Sequence, residues 1–339
     1  MFQQNISLKP YNTFGIDVRA SFFIEISQLS DLQGIIANPM WQRMSKLLLG
    51  GGSNILFTKN FEGLVIKINL LGIEKSNENE DFVWLRVGAG ENWHQFVTYT
   101  IDNNYGGIEN LALIYGTVGA APMQNIGAYG VEIKDVVEHV EAMYLETGEM
   151  ATFTPTDCQF GYRQSIFKTT LKHKVVITHV TFKLTKRNHV FKTTYGAISQ
   201  YLTQQNITTL NLRAISDAVI AIRQSKLPNP SEIGNAGSFF KNPEIPLTQF
   251  KELQQKFPTC ISYPTENQTV VKVPAGWLIE QCGWKGKRMG DVGVHKDQAL
   301  VVVNYGHGTG TNIWELAQAI QKTVLDNFGI ELTMEVNVY

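Results

Sequence analysis

Residues 112–133 read Ala-Leu-Ile-Tyr-Gly-Thr-Val-Gly-Ala-Ala-Pro-Met-Gln-Asn-Ile-Gly-Ala-Tyr-Gly-Val-Glu-Ile, and no residue between Asn110 and Val131 carries a charge. Gly116, Gly119, Gly127 and Gly130, a run of alanines and Pro122 leave few large side chains. The glycines, Pro122, Gln124 and Asn125 interrupt any apolar run of the ~18 residues that a membrane span requires. The stretch is too apolar for a solvated loop. It therefore reads as buried, irregular backbone that brings N–H and C=O groups close to a neighbour. Composition leaves two neighbours open: the sheet core itself, or a large, polar, planar ligand in a groove lined by this backbone.

A chain of 339 residues holds two or three domains, each with ample core. The formal net charge of -1 provides no field for nucleic acid or an anionic membrane. Met1-Phe-Gln-Gln-Asn5 lacks a basic segment followed by an apolar one, and no lipidation motif is present, so a cytoplasmic protein is expected. Cys158, Cys260 and Cys282 are odd in number and form no C-x-x-C, which suits a reducing compartment with buried thiols. The seven histidines show no ligand spacing, so no metal is expected.

Outward from the central stretch, strands are expected at 22–26, 64–68, 83–87, 139–145 and 175–184. A helix bearing Leu32, Ile35 and Ile36 is expected after a capping box at Ser30–Gln33. Another carries Trp93, Phe96, Val97 and Ile101. The run Lys46-Leu-Leu-Leu-Gly-Gly-Gly-Ser-Asn-Ile-Leu-Phe57 places three glycines and Ser53-Asn54 after a buried strand. Such a turn presents N–H groups without Cβ obstruction and suits a phosphate, though any tight strand-to-loop turn could use it. In Phe160-Gly-Tyr-Arg-Gln-Ser-Ile-Phe-Lys168, Arg163 stands among aromatics, placed either for a salt bridge or for a substrate carboxylate.

A helix over 212–223 is broken by Lys226-Leu-Pro-Asn-Pro230. In Gly234-Asn-Ala-Gly-Ser-Phe-Phe-Lys-Asn-Pro243 the Ser238 hydroxyl suits a pocket walled by aromatics. It is no hydrolase elbow, because G-x-S-x-G is absent. Residues 294–304 read as one buried strand with a polar lead-in. Gly306-His-Gly-Thr-Gly310 before a helix imitates a dinucleotide fingerprint, but its third glycine is misplaced and no ribose-binding acid follows. Asn312 with Glu315 fits a helix cap instead. Lys285, Lys287 and Arg288 form a basic loop, and Leu332–Tyr339 alternates as a strand with Glu335 on its polar face.

Together these motifs resemble the UDP-N-acetylenolpyruvoylglucosamine reductases over nearly the whole chain. The resemblance rests on Asn12–Gly15, Leu49–Leu56, Gly116–Gly119, Gln124–Gly130, Gly161–Phe167, Gly234–Pro243, Ala275–Cys282 and Glu335. Thr193-Thr-Tyr-Gly-Ala197 is similar to the form of the family with a substrate-covering tyrosine loop. Tyr115 stands where the family usually has proline. The resemblance implies an α+β fold: a two-lobed FAD-binding fold of the vanillyl-alcohol-oxidase type plus a C-terminal α+β substrate domain. Residues 1–70 would form the first lobe and 71–212 the second, completed by the C-terminal strand 330–339. Residues 213–329 would bind substrate.

The implied reaction reduces UDP-N-acetylglucosamine enolpyruvate to UDP-N-acetylmuramate for the cell wall, with hydride passing from NADPH through FAD to the terminal vinyl carbon. Residues 49–57 offer no histidine or cysteine for a covalent tether, so FAD is expected to be noncovalent. Its implied contacts are Gly50, Gly51, Gly52, Ser53 and Asn54 in the first motif. In the second they are Gly116, Thr117, Val118 and Gly119, then Gln124, Asn125, Gly127, Ala128 and Tyr129. Arg163 and Glu335 would meet the substrate carboxylate, Glu335 protonated with a pKa raised by burial, and Ser238 would protonate the enol carbon. Tyr162, Tyr195, Lys226, Asn242, Tyr263, Lys285 and Gln298 match substrate positions. No obligate protein partner is implied. An oxygen-using oxidase of the same fold would need neither Ser238 nor Arg163 with Glu335, and a nonenzymatic nucleotide-sugar binder would hold no flavin.

Overall fold

The computed structural model describes residues 2–339 and divides into two compact units. The first comprises the chain up to Ile6, Ala20–Gly52 and Phe61–Ser225. One of its sheets runs Gln3–Ser7, Arg19–Ile26, Phe61–Ile68, Lys46–Leu49 in spatial order, with the last three parallel. Leu64, Val65 and Ile66 in its centre are fully buried, as expected of a parallel strand covered on both faces. Helix Leu29–Ala37 buries Leu32, Ile35 and Ile36. Its cap begins two residues earlier than expected: the Asp31 carboxylate accepts the Gln28 N–H at 3.3 Å, and Ser30 falls inside the first turn. An acid in the first turn also complements the helix dipole.

The second sheet of this unit is antiparallel, ordered Met150–Phe153, Val137–Tyr144, Val175–Thr185, Phe82–Gly88, Ile73–Glu78. Val83, Leu85 and Val87 alternate inward. Helix Trp93–Asp102 is capped by Asn92, whose side chain accepts the Gln95 N–H. It packs Trp93 and Phe96 against Phe182, with centroids at 5.9 and 5.0 Å.

The second unit comprises Ser7–Arg19, Ser53–Asn60 and Lys226–Tyr339. Its larger sheet orders Gly234–Ser238, Val301–Asn304, Val292–Val294, Arg288–Met289. The run 294–304, expected as one strand, is instead an antiparallel hairpin pairing Val294 with Val302. Its polar lead-in, Lys296-Asp297-Gln298, lies in the reversal. Helix Gly310–Phe328 is capped by Thr309, whose hydroxyl and N–H exchange bonds with Asn312. Asn312 is thus the N3 partner, and Glu315 takes no part in the box. The helix ends at Gly329 in the left-handed region (φ 62).

The C-terminal strand Asn337–Val338 pairs in parallel with Ile55–Leu56. The strand is expected from the sequence to complete the lobe of residues 71–212; its ladder partner is Ile55–Leu56. The edge strands of the five-stranded sheet, Met150–Phe153 and Ile73–Glu78, are largely solvent-facing, whereas Ile55 and Leu56 are buried. Burial pushes the free Cys158 thiol up to about 12. Among the described residues no helix is long and apolar enough to cross a membrane.

Candidate active site

Two glycine-rich segments meet in the first unit. The turn Gly50–Gly52 follows the strand Lys46–Leu49, and a methyl group on Gly51 would stand 2.8 Å from Gly116 Cα. On Gly50 it would stand 2.6 Å from Thr117 Oγ1, and on Gly119 2.5 Å from Ala89 Cβ. Only residues without a side chain permit this approach.

The approach decides which donors remain available. Val118 and Gly119 donate to Glu91 O and Ala89 O, both at 2.9 Å. Their N–H groups therefore do not face a ligand, because a short helical turn inside the core must satisfy its donors internally. The Gly116 and Thr117 N–H groups have no acceptor among the described residues. A pair of unpaired donors beside a turn without side chains fits a dinucleotide pyrophosphate.

Residues 161–168 are stitched onto the second half of the central stretch. Ser165 Oγ donates to Met123 O at 2.7 Å, Lys168 Nζ to Gln124 Oε1 at 3.2 Å, and Asn125 Nδ2 to Gly161 O at 3.1 Å. Asn125 is fully buried, and its amide also serves Glu132 and the Lys134 N–H. The side chain is occupied inside the protein, so Asn125 positions the segment. Gly161 and Gln164 exchange backbone bonds across a tight turn that holds Arg163 in the left-handed region (φ 54). From there Arg163 Nη2 donates to Gly127 O at 2.6 Å, with its guanidinium 5.4 Å from the Tyr162 ring centre. Gly127–Ala128 pairs with Val131–Glu132, and Tyr129 between them also takes a left-handed backbone (φ 51).

Sequence reasoning missed Arg223. It follows Ile215 and Val219 at helical spacing on helix Leu212–Lys226, so a cation on the buried stripe was the available signal. Arg223 Nε donates to Leu113 O at 3.2 Å, and Tyr129 and Tyr115 are the groups that interact electrostatically with the guanidinium. No carboxylate lies within ion-pair distance of it among the described residues. Burial pushes its pKa down, opposed by Tyr129 and Tyr115. Burial likewise pushes Tyr129 up, against the pull of Arg223. A half-buried cation beside phenols, with no acid paired to it, is costly to hold without an anion. Tyr195, 47% exposed, sets its ring edge-on to Tyr129 at 5.2 Å.

In the second unit, Ser238 ends the strand Gly234–Ser238 and is exposed, while Phe239 and Phe240 after it are buried. A register shift between Asn235 and Ser238 interrupts the strand's alternation, and the two aromatics that follow Ser238 are both packed into the core. The Glu335 N–H donates to Phe239 O at 2.8 Å, which brings the half-buried Glu335 beside Ser238. Asn54 fixes the same segment: its Nδ2 donates to Glu335 O, and its own carbonyl accepts from Asn337. Ser53 precedes it in the same unit.

Of the remaining positions, Asn242 Oδ1 accepts the Ala275 N–H at 2.9 Å and Gln298 Oε1 accepts the Leu300 N–H at 3.3 Å. Lys285 pairs with Glu280 at 2.8 Å. Lys226 is exposed at its helix terminus, and Tyr263 is exposed on a short strand.

Comparison with known proteins agrees with these motifs. A family model described as the C-terminal domain of UDP-N-acetylenolpyruvoylglucosamine reductase matches residues 229–339, and an FAD binding domain matches residues 20–154. The UDP-N-acetylenolpyruvoylglucosamine reductase of Flavobacterium johnsoniae is 53% identical, over 99% of both chains. That of Amoebophilus asiaticus is 50% identical over 99% of this chain and 98% of its own. That of Pseudomonas putida is 45% identical over 100% and 99%. Among solved structures, the Thermus caldophilus reductase superposes with a TM-score of 0.70 at 22% identity, covering all of both chains. A p-cresol methylhydroxylase superposes with 0.53 at 12% identity, covering 97% of this chain and 84% of its own. At such identities these two bear on fold alone, and they agree with the α+β FAD-binding fold and C-terminal domain expected from the sequence. With about half of its residues identical to curated relatives along its full length, the chain belongs to the UDP-N-acetylenolpyruvoylglucosamine reductase family and is an FAD-dependent oxidoreductase.

Proposed function

We propose that this chain reduces UDP-N-acetylglucosamine enolpyruvate to UDP-N-acetylmuramate for peptidoglycan, in the cytoplasm, with NADPH as the nicotinamide donor and no obligate protein partner. Residues 1–70 and 71–212 hold FAD, and 213–329 receive the sugar nucleotide. The first two segments would hold FAD noncovalently, and the flavin would supply hydride transfer between the nicotinamide and the terminal vinyl carbon. The observation that carries the reading is the bond from the Glu335 N–H to Phe239 O, which supports Ser238 and Glu335 acting on one substrate.

Hydride addition leaves negative charge on the neighbouring carbon, spread onto the carboxylate, and groups fixed against that charge lower the barrier. Arg163 is the cation for it, its guanidinium held by Gly127 O so that little reorganisation is needed. Glu335, protonated, donates a hydrogen bond to the same carboxylate. Ser238 gives its proton to the carbon; a hydroxyl serves because the carbanionic carbon is strongly basic and the geometry is fixed. The Gly116 and Thr117 N–H groups would hold the phosphates of FAD, and Arg223 would supply positive charge to them. Tyr162 backs Arg163, Tyr195 covers the substrate, and Lys226, Asn242, Tyr263, Lys285 and Gln298 line the nucleotide-sugar.

Separating the half-reactions tests this. Ser238→Ala should bleach its flavin anaerobically with NADPH at the wild-type rate, then fail to reoxidise with the enolpyruvyl substrate. Reoxidation at the wild-type rate would remove Ser238 from the proton step.

A further inference from the structure

Asn110 is fully buried, just before the central stretch. Its Nδ2 donates to carbonyls from two distant segments, Tyr129 O at 3.1 Å and Lys192 O at 2.8 Å. Both partners are acceptors, so the amide has one possible orientation; flipped, Oδ1 would face two carbonyl oxygens. In the observed orientation Oδ1 is buried without a partner. A residue serving only to fill space would not leave a buried acceptor unpaired, since leucine fills that volume without the cost. The two donor bonds are what Asn110 contributes.

Those bonds join parts with different work. Tyr129 belongs to the flavin motif. Lys192 belongs to the irregular run between the strand ending at Thr185 and the helix Gly196–Gln204. Ahead of Tyr195, Lys192 O is held by Asn110, and Thr193 O by Ser199 Oγ at 2.6 Å. Side chains therefore hold this run where no ladder does. Three residues after Lys192, the Tyr195 ring returns to the Tyr129 ring at 5.2 Å and 80°. The same two segments are thus tied twice, once through the Asn110 amide and once ring to ring.

We infer that Asn110 is a positioning residue that registers the Tyr195-bearing run on the flavin motif. The tie itself stands on geometry; its kinetic consequence rests on the reading of Tyr195 as the substrate cover. Asn110→Asp keeps the shape but turns a donor into an acceptor facing two carbonyls.

The experiment uses the full-length FAD-loaded protein. In Asn110→Asp, amide hydrogen exchange in residues 187–195 should quicken by about tenfold while the flavin spectrum is retained. The KM for the enolpyruvyl substrate should rise about fivefold, with flavin reduction by NADPH changed less than about twofold. In a Tyr195→Leu background the added Asn110→Asp should leave KM unchanged, because the two residues act through one segment. Asn110→Ser, which keeps one donor for two carbonyls, serves if the aspartate variant does not fold. Wild-type exchange of residues 187–195 in either folded variant would overturn the inference. Faster exchange with an unaltered KM would uphold the tie and refute the covering role of Tyr195.

Discussion

Gly51 and Gly116 lie backbone against backbone, so close that a methyl group on Gly51 would stand 2.8 Å from Gly116 Cα and 3.1 Å from its carbonyl carbon. Neither neighbour is a side chain that can rotate away. Gly51→Ala must therefore push the two flavin segments apart, and FAD affinity should fall by about 10²-fold. Gly50→Ala meets first the Thr117 hydroxyl at 2.6 Å, which can turn, and its loss should be nearer tenfold. Flavin fluorescence released on dilution measures both. Equal losses would show that the backbone contact is not what matters.

Arg223 offers a second test of the flavin site. Arg223→Met removes the cation yet fills most of its volume. It should lower FAD affinity by ~10²-fold, while the apo chain becomes no less stable, because a half-buried charge without an acid is replaced by an apolar group. Titrating FAD into apo protein, with a thermal melt of each apo form, gives both numbers. An unchanged FAD affinity would place the anion partner of Arg223 elsewhere.

The reach of sequence reasoning here has physical limits. The motifs at Gly50–Gly52 and Gly116–Gly119 were legible because close backbone approach permits little but glycine. The α+β organisation was legible because alternation in Val83–Val87 and the helical stripe through Ile215 and Val219 follow the periods of strand and helix. Which N–H groups remain free was not legible. Val118 and Gly119 spend theirs on Glu91 and Ala89, a pairing across 27 to 30 residues that no local pattern encodes. Asn125 was readable as a motif member but not as the amide fastening Gly161, and Asn110 joins segments 63 residues apart. The C-terminal strand was recognisable by alternation, yet its partner Ile55–Leu56 is too short to advertise itself.

His94 sets a pH dependence. Its Nδ1 accepts the Leu113 N–H at 3.1 Å, so the ring must be neutral there. Burial first, and then Arg223, hold its pKa below the ordinary 6.5. Above 6.5 the ring is neutral in both folded and unfolded chains and contributes no slope. As pH falls below 6.5 the unfolded ring gains a proton that the folded one refuses, so stability drops until the folded pKa is reached. His173, His179 and His295 are displaced downward by burial too, so the comparison must be with a variant. His94→Gln should flatten the fall of unfolding free energy as the pH drops below 6.5, by less than ~1.4 kcal/mol per pH unit since part of the ring meets solvent. Identical acid slopes in wild type and variant would count against the shift.

Arg163 is held by its fork and its backbone together. Nη2 is bound to Gly127 O at 2.6 Å, Tyr162 lies beneath the guanidinium, and the Gly161–Gln164 turn keeps φ at 54. Arg163→Lys preserves the charge but cannot hold Gly127 O and present a second pair of donors to a carboxylate at once. Reoxidation of reduced flavin by the enolpyruvyl substrate should slow by about 10²–10³-fold. Flavin reduction by NADPH, which involves no such carboxylate, should stay within about threefold of wild type. Asn125→Ala, which frees the Gly161 carbonyl and slackens the turn without touching the guanidinium, should produce a smaller loss in the same half-reaction. Stopped-flow absorbance of the flavin in each half-reaction distinguishes the two. If lysine served as well as arginine, charge alone would suffice and the fixed fork would have no catalytic part.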